Sequence, residues 1–213
     1  DEVNTCLRWL NRIDNSDCIP VAILFLSRNK NSPNYGSWFF SRLERLAAYM
    51  HVCAANINER IERYGNVIKA LEKDHSYDSP VQDIELTDVE MKEMRNALNG
   101  NIYELTPRRR NYLILRLDNF LSDGAASYDP SILTIEHVLP QTVNDGTEWS
   151  EIWPDEAERK RWVHRIANLV PLNRRRNSQA QNYDFAKKKT AYFSGKKGVS
   201  SYILTTQVLH VNE

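Results

Sequence analysis

Cysteine is scarce in this sequence and is not arranged to bind zinc or to build a disulfide framework. The three cysteines, Cys6, Cys18 and Cys53, lie in the first quarter of the chain, and none forms a CxxC pair. Small secreted domains and structural zinc sites use cysteines at short, regular spacings. We therefore expect no disulfide, no structural zinc and a cytoplasmic location.

Long apolar segments and glycine-rich stretches are also missing. The longest strongly apolar run, residues 18–26, contains Pro20 and is far shorter than the roughly 20 residues that a transmembrane helix needs. Only 7 of the 213 residues are glycine and 26% are charged, which excludes a fibrous repeat and argues against extended disorder. The composition predicts ordered globular structure without a membrane partner.

The chain also lacks a secretory leader and a nucleotide-binding motif. It begins at Asp1 without a methionine, and no charged segment followed by an apolar stretch and a cleavage site is found there. This beginning is typical of a fragment of a larger protein. Because no P-loop occurs in the sequence, any nucleoside triphosphatase would lie in a missing N-terminal region.

Net charge is zero, but the charges are segregated along the chain. Residues 159–198 contain 12 lysines or arginines and one acid, whereas residues 134–158 contain seven acids and no lysine or arginine. A local excess of positive charge is typical of a phosphate-binding face. The segregation therefore favours a polyanionic partner in spite of the neutral total.

The first 122 residues have the periodicity of helices. Apolar residues recur at spacings of three and four in three stretches, 7–13, 38–50 and 57–71. Thr87 and Glu90 have the spacing of a capping box, and Thr106 precedes a proline at a predicted helix start. A segment rich in Gly, Asp, Ser and Pro at 122–130 then indicates a connection. We predict a helical connecting module over residues 1–124.

Residues 125–213 have a different pattern. Two short runs rich in Ile, Leu and Val, at 132–139 and 166–172, predict two strands. Helices are expected between them, over 154–164, and after them, over 183–193. The chain is therefore predicted to be α+β, with a small strand–strand–helix domain following the mainly helical module.

One stretch carries the residues from which a function can be inferred. Residues 135–141 read Ile-Glu-His-Val-Leu-Pro-Gln, and Asn168 and Asn177 follow at a spacing of nine. These residues and spacings resemble the HNH, or His-Me finger, nucleases. The wider pattern, His-x-x-Pro, Ala-Asn-Leu and Asn-x4-Asn-x2-Phe-x-Lys, resembles the nuclease domain that ends the GmrSD modification-dependent restriction enzymes. The phosphorothioate-sensing defence protein SspE carries a similar domain.

The resemblance implies a ββα-metal nuclease domain over residues 125–213. It implies a bacterial defence protein that nicks or cleaves DNA, most simply double-stranded DNA. It also implies an N-terminal sensing or nucleoside triphosphatase domain as the partner of this region. The helical residues 1–122 resemble the segment that precedes the nuclease domain in the same proteins.

Phosphodiester hydrolysis explains why such residue types are needed. The attacking water needs a base, and the charge on the leaving oxygen needs a cation. His137 is the candidate base, because a histidine near its reference pKa of about 6.5 can accept a proton at neutral pH. Mg²⁺, with Mn²⁺ as an alternative, prefers oxygen ligands, which Glu136 and the amide of Asn177 would supply. By resemblance, Asn168 orients His137 or braces its loop, and Asn182 caps a helix or braces a loop.

Six basic side chains near Asn177 are candidates for contacts with DNA phosphates. They are Arg174, Arg175, Arg176, Lys187, Lys188 and Lys189. The alternative is a solvated surface, since most runs of charge are exposed. The basic run 108–110 lies in the first turn of a predicted helix, where positive charge opposes the helix dipole, and it could bind DNA or another domain.

Other histidines and the tryptophans have simpler interpretations. His164, Trp149, Trp153 and Trp162 fit packing against the helix between the strands better than a ligand or stacking role. Two rival functions remain open. The chain could be a DNA-binding module in which His137 is an inactive remnant, or a protein-interaction module in which residues 1–122 bind a partner.

Overall fold

The protein has the predicted α+β architecture. A computed structural model describes residues 2–122, 133–173, 182–190 and 202–209. The described residues form mostly helices, with one two-stranded sheet. The chain divides into two units, Asp1–Ala97 and Leu98–Glu213.

This division lies before the predicted boundary at 124/125. The reason is visible in the second unit, where the helix Pro107–Leu121 packs against the second strand. Among the helices of the described ranges, none is both long and apolar enough to cross a bilayer.

The first unit is helical. Its helices are α1 (Glu2–Leu10), α2 (Ile19–Arg28), α3 (Pro33–Val52), α4 (Ile57–Leu71) and nearly all of α5 (Asp88–Leu98). Its core is aromatic: the ring of Phe25 stacks on Phe39 with centroids 3.8 Å apart, and Phe40 meets Phe25 edge-on. The apolar run that includes Pro20 is therefore a helix of a globular core.

Two capping boxes start helices in this unit. The backbone N–H of Thr87 donates to Glu90 Oε2 at 2.7 Å, and the N–H of Glu90 donates to Thr87 Oγ1 at 3.2 Å. This confirms the box predicted for α5. Asn56 and Glu59 form an equivalent box at the start of α4. Each box satisfies backbone donors that the first helical turn leaves without partners.

The second unit contains the sheet. Its elements are α6 (Pro107–Leu121), β1 (Leu133–His137), α7 (Glu148–Ile152), α8 (Glu156–Trp162), β2 (Leu169–Asn173), α9 (Phe185–Lys188) and α10 (Ile203–Leu209). The two strands are antiparallel, with His137 opposite Leu169 and Leu133 opposite Asn173. Residues 169–172 are all buried, and α6 and α10 pack on this strand.

The predicted strands and helices of this unit are confirmed, with shifted ends. β2 begins at Leu169 because residues 166–168 form a turn of 3-10 helix. The predicted helix over 154–164 is α8, whose first turn is capped by the Asp155 carboxylate at 2.8 Å from Ala157 N. α9 begins at Phe185 instead of 183, and residues 191–193 of the predicted helix lie outside the described residues.

A small apolar cluster holds α7 and α9 beside the end of β1. Leu139, Trp149 and Phe185 are buried together, with Trp153 packed against them. The indole N–H of Trp149 donates to the carbonyl of Tyr183 at 2.9 Å. Trp149 and Trp153 therefore have the packing role predicted for them.

Candidate active site

His137 is the last residue of β1 and lies on the buried face of that strand. Only 5% of its surface is exposed. Leu133 and Ile135 share this face, whereas Thr134 and Glu136 are partly exposed. Side chains alternate along a strand, so Glu136 and His137 leave β1 on opposite sides. The strand ends at His137, so the side chains after it no longer have to alternate between the two faces of the sheet.

Asn168 braces the segment that follows His137. Its backbone carbonyl accepts from Val138 N at 2.9 Å, and its side-chain oxygen accepts from Leu139 N at 2.7 Å. Its amide nitrogen donates to the carbonyls of Leu139 and Val163, both at 2.9 Å. The buried amide thus uses its oxygen and both of its N–H groups. These contacts are those of a loop brace, one of the two roles predicted for Asn168.

Lys188 is buried and points to the end of β1. Its ammonium lies 3.0 Å from Glu136 Oε1, 2.6 Å from the carbonyl oxygen of His137 and 3.0 Å from that of Val138. Burial lowers the pKa of Lys188, and the Glu136 carboxylate opposes that effect. The Lys188 ammonium therefore donates hydrogen bonds to the backbone carbonyls of His137 and Val138 at the end of β1.

A second histidine contacts the predicted base. His164 follows α8, and its Nδ1 lies 3.3 Å from His137 Nε2. On the other side of the same ring, Nε2 lies 3.9 Å from Glu104 Oε1. Two imidazoles and a carboxylate therefore stand in a row, although 27 residues separate the two histidines in the sequence.

Tyr103 lies against both imidazoles. Its ring centroid is 4.2 Å from that of His137, edge-on, and 5.5 Å from that of His164, nearly parallel. The guanidinium of Arg110 lies 4.4 Å from the Tyr103 ring centroid, and Nη1 donates to the Tyr103 carbonyl at 2.9 Å. Arg110, predicted to bind DNA or another domain, thus makes contacts inside this unit.

The surroundings of His137 keep its imidazole neutral. Burial, and to a smaller extent the electrostatic effect of His164, Lys188 and Arg110, lowers its pKa from 6.5 to about 4. An imidazolium at this position would be poorly solvated and close to two permanent cations. At neutral pH His137 is therefore a proton acceptor.

The structure places the predicted DNA-binding residues in different environments. Lys188 is only 2% exposed, so its ammonium is not at the surface where DNA phosphate could reach it, and the prediction for this residue is corrected. Lys187 is exposed, with its ammonium 3.5 Å from the Tyr183 ring centroid, and Lys189 lies 4.4 Å from that of Phe185. The three arginines at 174–176 lie outside the described residues.

Of the two predicted metal ligands, Glu136 lies within the described residues. Asn177 lies outside the described residues, and Glu136 bears the contact with Lys188. Within the described parts of the chain, no three His, Cys, Asp or Glu side chains form a group that could hold a metal. A site built from one carboxylate and one amide would not form such a group. Asn182 is exposed, two residues before the N-cap position of α9, which Asp184 occupies.

Sequence reasoning missed several residues of this site. It assigned His164 to packing and gave no role to Tyr103 or Glu104. No local spacing could have revealed them, because Tyr103 and Glu104 belong to the region read as a helical module. Their association with His137 arises only because the 3-10 turn Ile102–Glu104 lies beside His164, which follows α8.

The region that holds the site matches a known protein family. The family model described as GmrSD restriction endonucleases, C-terminal domain, matches residues 88–213. This range includes every site residue described above, from Tyr103 to Lys188. No curated protein and no solved structure matches the chain.

Proposed function

The chain belongs to the family of GmrSD restriction endonuclease C-terminal domains, and we propose that it hydrolyses DNA phosphodiester bonds with a divalent metal. In this proposal the domain is of the HNH type and His137 is the general base. The enzyme would act on double-stranded DNA as part of a bacterial defence protein. A sensing or nucleoside triphosphatase domain outside this sequence would supply the signal.

The observation that carries the proposal is the position of His137. It ends the first of two antiparallel strands, the segment after it is braced by Asn168 from the turn that leads into the second strand, and a short helix follows. This order supports a ββα nuclease fold. The neutral imidazole supports a base, since only the unprotonated ring can take a proton from water.

Three residues of the site would have separate roles. His137 accepts the proton of the attacking water. Asn168 holds residues 138 and 139, so that the end of β1 keeps one conformation. Lys188 binds the His137 and Val138 carbonyls and the Glu136 carboxylate, which fixes the backbone on which the base stands.

The residues present fit a divalent metal with hard oxygen ligands. Glu136 is next to the proposed base and retains 13% side-chain exposure, and an ionised carboxylate accepts through two oxygens. In this proposal Glu136 is a metal ligand as well as the partner of Lys188, and Asn177 is the second ligand. A bound Mg²⁺ or Mn²⁺ would stabilise the negative charge on the scissile phosphate and the leaving oxygen.

DNA binding is assigned to the five predicted basic side chains other than Lys188. Lys187 and Lys189 are on α9 or directly after it, beside the buried Lys188. Arg174, Arg175 and Arg176 directly follow Asn173, the last residue of β2, which is paired with Leu133 at the other end of β1 from His137. Phosphate contacts from the two lysines would bring the scissile bond near the end of β1, whereas the arginines would contact phosphates farther from it.

A plasmid-nicking assay tests the proposal. Supercoiled DNA is incubated with the chain in Mg²⁺, in Mn²⁺ or in EDTA, and relaxed and linear products are measured. We expect cleavage with either metal and none with EDTA. His137→Ala should lower the rate by about 10²- to 10⁴-fold, which is the usual contribution of a positioned general base.

DNA binding by the same variant is the control. His137→Ala should bind DNA as well as the wild-type chain does, because the base acts on water and does not anchor phosphate. Full cleavage by His137→Ala would contradict the proposal. Salt-sensitive binding without cleavage by the wild type would instead favour the inactive DNA-binding module.

A further inference from the structure

His137, His164 and Glu104 lie in a row, so the proposed base has two neighbours that can influence where its own proton is held. Resting on the proposed function of His137, we propose that His164 and Glu104 are positioning residues that select its reactive tautomer. In this tautomer the proton of the His137 ring is on Nε2, and the lone pair that accepts the water proton is on Nδ1. The argument depends on which nitrogen of each ring can donate.

The contact between the two imidazoles couples their tautomers. His137 Nε2 and His164 Nδ1 lie 3.3 Å apart. A hydrogen bond between neutral imidazoles needs N–H on one nitrogen and a lone pair on the other. Either His137 donates through Nε2, or His164 donates through Nδ1. In each case the second nitrogen of each ring takes the opposite role.

Glu104 distinguishes these two arrangements. Its Oε1 lies 3.9 Å from His164 Nε2, a distance too long for a hydrogen bond but short enough for electrostatic attraction. An ionised carboxylate attracts an N–H at this position and repels a lone pair. A proton on His164 Nε2 leaves Nδ1 as the acceptor. The proton of His137 must then be on Nε2.

Glu104 and His164 are themselves held by neighbouring groups. Asn101 Nδ2 donates to Glu104 Oε2 at 2.9 Å, so that Oε1 is the oxygen directed to His164. The backbone N–H of Tyr103 donates to the His164 carbonyl at 3.0 Å, and the two rings lie nearly parallel. The side chain of Glu104 is 59% exposed, so solvent weakens its effect on the imidazole.

The arrangement has a direct consequence for the reaction. The proton of the attacking water moves to His137 Nδ1, while Nε2 keeps its own proton and donates to His164. Positive charge that develops on the His137 ring is stabilised by the His164 lone pair and, at longer range, by Glu104. No proton moves beyond His137.

Nuclear magnetic resonance of histidine side chains tests the tautomer directly. Long-range ¹H–¹⁵N spectra distinguish the two neutral tautomers, and the chain contains only 5 histidines to assign. We expect His137 and His164 to be protonated on Nε2 in the wild type. A His137 ring protonated on Nδ1 would overturn the proposal. This measurement does not depend on nuclease activity.

Three substitutions and one control connect the tautomer to turnover. His164→Leu should lower kcat by about 100-fold and Glu104→Gln by about 10-fold, with little change in KM; this is the range in which the outer partners of metal-bound histidines contribute to activity. His164→Asn should restore most of the rate, since its Oδ1 can accept from His137 Nε2. Glu156→Gln, on an exposed carboxylate paired with Lys160, should change nothing.

A double variant separates positioning from packing. Glu104→Gln should have no further effect in the His164→Asn chain, because Glu104 acts only through the second imidazole. An equal loss in both backgrounds would overturn its assignment, as would failure of His164→Asn to restore the rate. A wild-type chain with the expected tautomers that cleaves no DNA would contradict the proposed function and leave the tautomer assignment supported.

Discussion

The ammonium of Lys188 lies 2.6 Å from the carbonyl oxygen of His137, so a buried charge is bound to the backbone of the proposed base. Lys188 also lies 3.0 Å from Glu136 Oε1. A buried ion pair contributes little by itself, but removal of one partner leaves the other charge without compensation. Lys188 is therefore expected to be essential to the conformation at the end of β1.

Lys188→Met should lower the free energy of unfolding by about 3 kcal/mol, because it removes a buried charge together with its contacts to the Glu136 carboxylate and two carbonyls. Lys187→Met is the matched control, since the neighbouring lysine is exposed, and it should cost less than about 1 kcal/mol. Native-state hydrogen exchange of the β1 and β2 amides measures both values. Equal effects of the two substitutions would show that Lys188 does not stabilise the strand.

The proposed ligands and the proposed brace should respond differently to metal. Glu136→Ala and Asn177→Ala should raise the metal concentration that gives half-maximal cleavage, since each removes one of very few oxygen ligands. Asn168→Ala should lower turnover and stability with little change in that concentration, because it breaks three buried hydrogen bonds of the Asn168 side chain. Metal titrations of cleavage by the three variants decide between these roles. The same metal dependence in all three would contradict the division.

The arginines after β2 should contribute to DNA affinity regardless of sequence. Replacement of Arg174, Arg175 and Arg176 by Gln should reduce the slope of log K against log salt by about 0.9 for each DNA phosphate that the variant no longer neutralises. Binding isotherms at several salt concentrations give the slope. As a comparison, Lys187→Gln with Lys189→Gln tests the exposed lysines. Parallel slopes for wild type and the triple arginine variant would place the DNA-binding surface elsewhere.

Burial of neutral His137 should make the second unit sensitive to acid. Below pH 6.5 the unfolded chain binds a proton at this ring, whereas the folded chain does so only near its lowered pKa of about 4. The stabilisation is therefore complete above pH 6.5 and is lost as the pH falls towards 4. The loss should be about 3 kcal/mol.

Hydrogen exchange of the β1 and β2 amides between pH 4 and 7, corrected for the intrinsic exchange rate, measures this loss. His137→Gln removes the titrating ring and keeps a polar side chain at the position. In this variant the free energy of unfolding should depend less on pH, because the loss of stability assigned to His137 no longer occurs. An unchanged pH dependence in this variant would assign the acid sensitivity to other groups.

Short sequence patterns predicted which helices and strands exist better than they predicted where each one begins and ends. The capping box at Thr87 and the helix start at Pro107 were predicted because they depend on residues within one turn. The strand at 166–172 was predicted three residues too early, since the apolar run also fits the 3-10 turn that precedes β2. Apolar content alone does not distinguish a buried turn from a strand.

The role of Lys188 could not be predicted from its neighbours. Three consecutive lysines indicate an exposed basic surface, and two of them are at least partly exposed. On the short helix α9, Lys188 points towards the end of β1, where its ammonium contacts Glu136 and the carbonyl of His137. A side chain's direction depends on helix rotation against the sheet, which the charge pattern does not encode.

The sequence by itself determined the α+β class, the two strands, and the motif that resembles HNH nucleases, because these depend on periodicity and on residues close together in the chain. Only the tertiary structure decided which side chains surround His137. Tyr103 and Glu104 come from a turn before α6, His164 follows α8, and Lys188 belongs to α9. Their contacts form when separate elements pack against one strand end, and such packing leaves no regular spacing in the sequence.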